Sequence, residues 1–191
     1  EGSSWLAQRR RRFLLAFDGM LAYSRRGADQ YIAQGIPAER VFVALNAVAP
    51  RPMLPPPARP PAFTGQPVVL FVGRLQARKR IDVLLHACAR LPEELRPRLW
   101  VLGDGPARGE LQELAKQIYP QAEFPGDQRG ADLQPYFAAA DLFALPGTGG
   151  LAVQEAMAAG LPVIVAEGDG TQDDLVRPDN GWQVPPGDVQ A

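Results

Sequence analysis

The stretch LFALPGTGGLAVQEAMAAGLPVIVA, Leu142 to Ala166, decides the fold. Leu142–Leu145 is a short apolar run, as expected of a strand buried on both faces. Pro146-Gly147-Thr148-Gly149-Gly150 interrupts it. Leu151–Ala159 then reads as a helix and Val163–Ala166 as a second apolar strand. Strand, helix and strand at this spacing form a βαβ unit, in which the helix carries the chain back to a parallel neighbour.

The same alternation extends over residues 68–188. Val68–Val72 is a continuous apolar run, and Leu99–Leu102 is another. Ile81, Leu84, Leu85 and Cys88 fall at i, i+3, i+4 and i+7, the period of one helix face, and Leu111, Leu114, Ala115 and Ile118 repeat it. Ala122–Phe124 reads as a short strand and Leu133–Ala140 as a helix. The predicted fold class is α/β, a doubly wound, Rossmann-like parallel sheet. Residues 50–67 hold 8 of the chain's 20 prolines, which excludes regular helix and central strand and marks a linker. Residues 1–49 read as helix, strand, helix, strand. Trp5, Leu6, Phe13, Leu14 and Phe17 form a stripe around Arg9–Arg12, Met20–Ser24 and Val41–Leu45 are strands, the second running into Asn46, and Gly35 closes the helix over Arg25–Gln34. Trp100, Trp182 and Cys88 are expected in the core.

Bulk properties narrow the function. The chain has 191 residues, 46% hydrophobic and 21% charged, enough for one full domain and part of another. A net charge of −1 gives no basic field for nucleic acid. With one histidine, His86, and one cysteine, Cys88, histidine-rich zinc chemistry, a two-histidine mechanism and an intrachain disulfide are excluded. No metal site is expected. No stretch is long and apolar enough to span a bilayer, and no secretory leader is visible.

Ligands of open α/β sheets bind at the carboxyl ends of strands. After the first strand of the 68–188 region come Gly73-Arg74 and then Lys79. After the second comes Gly103-Asp104-Gly105-Pro106, and after Leu145 comes the glycine-rich turn, with Glu155 in the helix that follows. Two cations can neutralise a diphosphate, Arg as a planar fork and Lys as a point charge. A glycine-rich turn ahead of a helix offers backbone N–H groups to an anion. A carboxylate can accept from both ribose hydroxyls. Each signal alone has a plainer explanation: a solvated cation, a tight connection, an acid near a helix start. Their order on one scaffold is what points to a nucleoside diphosphate.

That order resembles the C-terminal donor domain of the group-1 retaining glycosyltransferases of the GT-B fold. The matching residues are Gly73-Arg74-Leu75, Lys79, Gly103–Pro106, Phe124-Pro125-Gly126, Ala140-Asp141, Glu155-Ala156-Met157, Gly160-Leu161-Pro162-Val163, Asn180-Gly181 and Val184-Pro185-Pro186-Gly187-Asp188. Tyr23-Ser24, Gly35-Ile36-Pro37 and the strand ending at Asn46 look like the last βαβ of the family's N-terminal, acceptor-binding domain. The resemblance implies three segments. Residues 1–49 are the acceptor-domain remnant, 50–67 the Pro-rich linker, and 68–191 the donor domain, truncated at its C-terminus. It implies transfer of a hexose from a nucleotide diphosphate sugar to a sugar or lipid-linked acceptor, with retention, in the cytoplasm and in polysaccharide biosynthesis. No cofactor is expected, and the 191 residues alone are expected to be inactive. Carried over by position, Arg74 and Lys79 bind the diphosphate and stabilise its charge as the sugar bond breaks. Glu155 holds the ribose, and Gly73, Thr148 and the amides of Gly149, Gly150 and Leu151 lie against phosphates and sugar.

The family carries two glutamates eight positions apart around this turn. The second is Glu155; the first falls at Gly147, which has no carboxylate. Thr148 or a backbone group as substitute, a different donor, or a non-catalytic nucleotide-sugar-binding protein all remain open, as does a GT-B sugar-nucleotide epimerase. The Glu-Ala-Met helix and the Gly-Arg-Leu strand end speak against the epimerase. His86 is expected to be a packing or surface residue. Asp173 and Asp174 read as an acidic helix start or a strand-end pair. Arg9–Arg12 read first as a solvated helix face and second as a peripheral contact with anionic lipid on the inner face of the membrane.

Overall fold

The computed structural model describes residues 5–45, 58 and 65–190. The chain divides into two compact units, Glu1–Ala47 and Val48–Ala191. The proline-rich stretch and Asn46 lie almost wholly outside the described residues.

The first unit holds helix α1 (Trp5–Leu15), strand β1 (Met20–Ala22), helix α2 (Arg25–Ala33) and strand β2 (Val41–Val43). β1 and β2 pair in parallel, Met20 opposite Val41. β1 stops short of Ser24 because that side chain caps α2, accepting from the Gly27 amide at 3.0 Å. α1 buries none of its residues. Its arginines are exposed, with the Arg9 guanidinium 4.7 Å from the Trp5 ring centre and Arg11 Nε donating to the Gln34 carbonyl at 3.0 Å.

The second unit is a six-stranded, all-parallel sheet. Its strands are β3 (Val68–Val72), β4 (Arg98–Leu102), β5 (Ala122–Gly126), β6 (Leu142–Leu145), β7 (Val163–Ala166) and β8 (Gly181–Val184), in the order β5-β4-β3-β6-β7-β8. Helices α3 (Ile81–Arg90), α4 (Arg108–Ile118), α5 (Gln134–Ala139), α6 (Ala152–Ala158) and α7 (Thr171–Leu175) alternate with the strands. Leu70, Phe71, Leu85, Leu99, Leu102, Phe137, Phe143 and Leu145 are fully buried between the layers. At ~1.5–3 kcal/mol for each such side chain, this burial is the main source of the unit's stability.

The doubly wound sheet expected from the sequence is present, with local differences. β5 runs on to Gly126 through Pro125, whose missing N–H is tolerated because β5 is an edge strand; the register to β4 shifts between Trp100 and Leu102. The helix expected over Leu133–Ala140 is a 3-10 turn, Gly130–Leu133, leading into α5. Cys88 and Trp100 are buried and His86 is exposed. Trp182 is not in the core: it is 58% exposed, because it lies on the edge strand β8 and lines an open cleft with Met157, Pro162 and Pro178. Among the described residues, no helix is long and apolar enough to cross a membrane.

Candidate functional site

The strand order sets where a ligand fits. From β3 the chain winds outward through β4 to β5, then returns to β6 on the other side of β3 and winds outward again to β8. Between β3 and β6 the direction of winding reverses, and the crevice outside their carboxyl ends is the binding place of such sheets. The segments meeting there are Gly73–Arg80 after β3 and Pro146–Leu151 after β6.

On the β3 side, backbones are in close contact. The Leu75 amide donates to the Asp104 carbonyl at 2.9 Å, and the Gly103 amide to the Gly126 carbonyl at 2.8 Å. A Cβ at Gly103 would lie 2.0 Å from the Gly73 carbonyl oxygen, so only glycine allows these strand ends to touch. Together they form a cleft of about 490 Å³ lined by Gly73, Arg74, Gly103–Gly105 and Asp127–Arg129. Arg74 is exposed along it.

On the β6 side, the glycine-rich turn rests on the segment that carries Lys79. A 3-10 turn, Ala77–Lys79, presents this lysine, and Arg80 follows in the left-handed region at φ 52°, a strained conformation for a residue with a side chain. The Thr148 amide donates to the Arg78 carbonyl at 3.0 Å. Lys79 is 5% exposed, and its Nζ donates to the carbonyls of Thr148, at 2.8 Å, and Gly149. Arg78 Nη1 donates to the same Thr148 carbonyl at 3.3 Å. Burial, aided by the charge of Arg78, pushes the Lys79 ammonium down from 10.5 to about 8; the carboxylate of Asp169 opposes this. That carboxylate, which follows β7, accepts the Gly149 amide through Oδ2.

The structure therefore brings Lys79, Thr148, Gly149 and Gly150 together; a Cβ at Gly150 would stand 3.3 Å from Lys79 Nζ. Gly73 and Arg74 line the neighbouring cleft. Leu151 is exposed at the start of α6, and Glu155 lies half-buried on that helix, its amide bonded to the Leu151 carbonyl at 3.3 Å. Among the described residues, no hydrogen bond or ion pair joins Arg74 or the Glu155 carboxylate to the Lys79 cluster. α6 is 7 residues long, and the Gly149 amide ahead of it already has a carboxylate partner.

Gly147, where the family pattern has its first glutamate, is buried. A Cβ there would lie 2.2 Å from the Arg78 carbonyl oxygen and 2.6 Å from that of Lys79. The turn thus has no room for any side chain at 147. Asp173 accepts from the amides of Gly168 and Gly170 at 3.0 Å each, as an acidic helix start does. Sequence reasoning missed Arg78, Asp169 and the Asp127–Arg129 wall. The available signal was position: these residues too follow strands at their carboxyl ends or lie beside the one lysine of the crevice.

Comparison with known proteins identifies the family. A GDP-mannose-dependent alpha-mannosyltransferase of Mycolicibacterium smegmatis is 42% identical over 117 residues, covering 60% of this chain and 29% of that protein. The putative colanic acid biosynthesis glycosyltransferase WcaL of Escherichia coli is 30% identical over 186 residues, covering 91% of this chain and 45% of that protein. Among solved structures, the apo form of the lipopolysaccharide outer core galactosyltransferase WaaB superposes with a TM-score of 0.76 at 27% identity, over 90% of this chain and 50% of that one. The chain spans less than half the length of these curated relatives. Residues 66–191 match the family described as "Glycosyl transferases group 1", and the chain belongs to that family.

Proposed function

We propose that residues 68–191 bind the nucleotide part of a sugar donor, within a protein that transfers a hexose to a sugar or lipid-linked acceptor with retention. The observation that carries this reading is Lys79, buried at the switch point against the glycine-rich turn and beside a cleft that presents Arg74. Lys79 and Arg74 neutralise the diphosphate and the charge that grows on it as the glycosidic bond breaks. Glu155 receives the ribose hydroxyls. Gly73, Thr148 and the amides of Gly149, Gly150 and Leu151 border phosphates and sugar. The reaction as read needs no cofactor. Residues 1–49 close the acceptor-binding domain, and the division of the chain at Ala47 and Val48 supports that boundary. The reading includes a cytoplasmic setting.

Calorimetry with UDP, GDP, ADP and GDP-mannose tests the donor site, the last because a relative is named for it. At least one nucleotide is expected to bind, and Lys79→Ala and Arg74→Ala are each expected to weaken it roughly tenfold or more, as for a charge-assisted contact. Absence of binding by every nucleotide, or indifference to both substitutions, rejects the assignment. Gly147 favours a second reading, a nucleotide-sugar-binding protein without turnover. Product analysis on a protein that includes the acceptor domain separates the two, and also detects epimerisation. The exposed Arg9–Arg12 run supports peripheral contact with anionic lipid. Pelleting with anionic liposomes that is unchanged by Arg→Glu replacements removes that reading.

A further inference from the structure

The hydrogen bonds around the glycine-rich turn have a common logic. The donors at its surface are of the kind a diphosphate takes, and each already has a partner within the chain. The Gly149 amide, a donor suited to a phosphate oxygen, is taken by the Asp169 carboxylate. The Lys79 ammonium, a counter-charge for phosphate, is taken by the carbonyl oxygens of Thr148 and Gly149. Arg78 Nη1 also donates to the Thr148 carbonyl. Below them the Thr148 amide and the close approach of Gly147 hold the turn against the Arg78 and Lys79 backbone. A carboxylate and two carbonyls thus satisfy the donors that an incoming anion needs.

We propose that Asp169 is a positioning residue that latches the glycine-rich turn over Lys79 and competes with the donor's diphosphate for the Gly149 amide. The proposal rests on the donor-binding reading above. Binding then is an exchange. Phosphate oxygens replace Asp169 at the Gly149 amide and replace the turn carbonyls at Lys79, and the turn moves off the lysine. Asp169 sets the threshold, because its negative charge both holds the amide and repels the entering anion. Gly147 leaves no carboxylate on the turn to perform either task, so the carboxylate that governs this seat comes from the end of β7.

The discriminating variant is Asp169→Asn, which keeps the shape and an accepting oxygen and removes the charge. It is expected to bind UDP, GDP or ADP roughly tenfold more tightly than the unaltered chain, measured by calorimetry. Asp169→Glu keeps the charge and is expected not to tighten binding. A residue that merely supported the fold, or one that gripped the donor, would give the opposite sign in Asp169→Asn. Weakened or unchanged affinity therefore overturns the latch. Amide hydrogen exchange of Gly149 tests the latch without any ligand: it is expected to quicken in Asp169→Asn, and an unchanged rate overturns the proposal. If neither chain binds any of the three nucleotides while Gly149 exchange quickens, the donor reading and the competition fail, and only the hydrogen bond to Asp169 stands.

Discussion

Lys79 titrates where experiments can reach it. Its ammonium is pushed down from 10.5 to about 8 in the folded chain, chiefly by burial. Between those values the unfolded chain binds the extra proton, so this residue's contribution to stability rises with pH across the window. Cys88 works the other way: burial pushes its thiol up from 9.0 to about 12, so the unfolded thiol ionises first and stability falls above about 9. Comparing the chain with Lys79→Met isolates the lysine. The stability gap between them is expected to shift in favour of the unaltered chain by up to about 3 kcal/mol from pH 7.5 to pH 10.5, read from urea melts. A gap that stays flat contradicts the burial of Lys79. Nucleoside diphosphate affinity is expected to fall above about pH 8, where Lys79 loses its charge in the free protein. The position of Lys79 close to the carboxyl end of β3 was legible through its spacing from Gly73-Arg74. Its engagement by turn carbonyls was not, because that depends on how closely the strand ends approach.

At the level of elements, backbone contacts between loops are the rigid part of the site. Gly103→Ala puts a methyl 2.0 Å from the Gly73 carbonyl oxygen and must spread the ends of β3 and β4. The expected cost is about 2–3 kcal/mol or more, seen as a Tm lowered by roughly 5–10 °C. Gly147→Glu supplies the carboxylate of the family pattern, yet its Cβ meets the Arg78 carbonyl at 2.2 Å. It is expected to lower Tm by a similar ~5–10 °C and to expose Lys79 rather than to create a sugar contact. A Tm equal to that of the unaltered chain would show that the turn sits elsewhere in solution. The strands and most helices were legible, because continuous apolar runs and 3.6-residue periods record burial directly. Trp182 shows the limit of that reading: an aromatic in a strand pattern says nothing of whether the strand is at an edge. Asp169 shows another, since its partner is the Gly149 amide, 20 residues away in sequence and joined to it only by the βαβ crossover.

Over the whole molecule the two units differ in what holds them. The second has six paired strands and fully buried side chains on several layers. The first has two three-residue strands and a helix with no buried residue, while Trp5, Phe13, Leu21, Tyr23 and Phe42 stay exposed. A two-stranded sheet is marginal by itself. Amides of β1 and β2 are therefore expected to exchange with solvent at least ~100-fold faster than those of β3, β4 and β6, measured by hydrogen exchange on the chain. Equal protection would mean that the units unfold together. The uneven burial was not legible in the sequence, because apolar residues read alike whether or not a neighbour covers them. The close approach of Gly103 to Gly73, and of Gly147 to the Arg78 and Lys79 backbone, also bears on how this chain can be altered. A side chain at 103 or 147 unsettles the scaffold before it can alter recognition, whereas the cleft wall at Asp127–Arg129 can change without moving the strand ends.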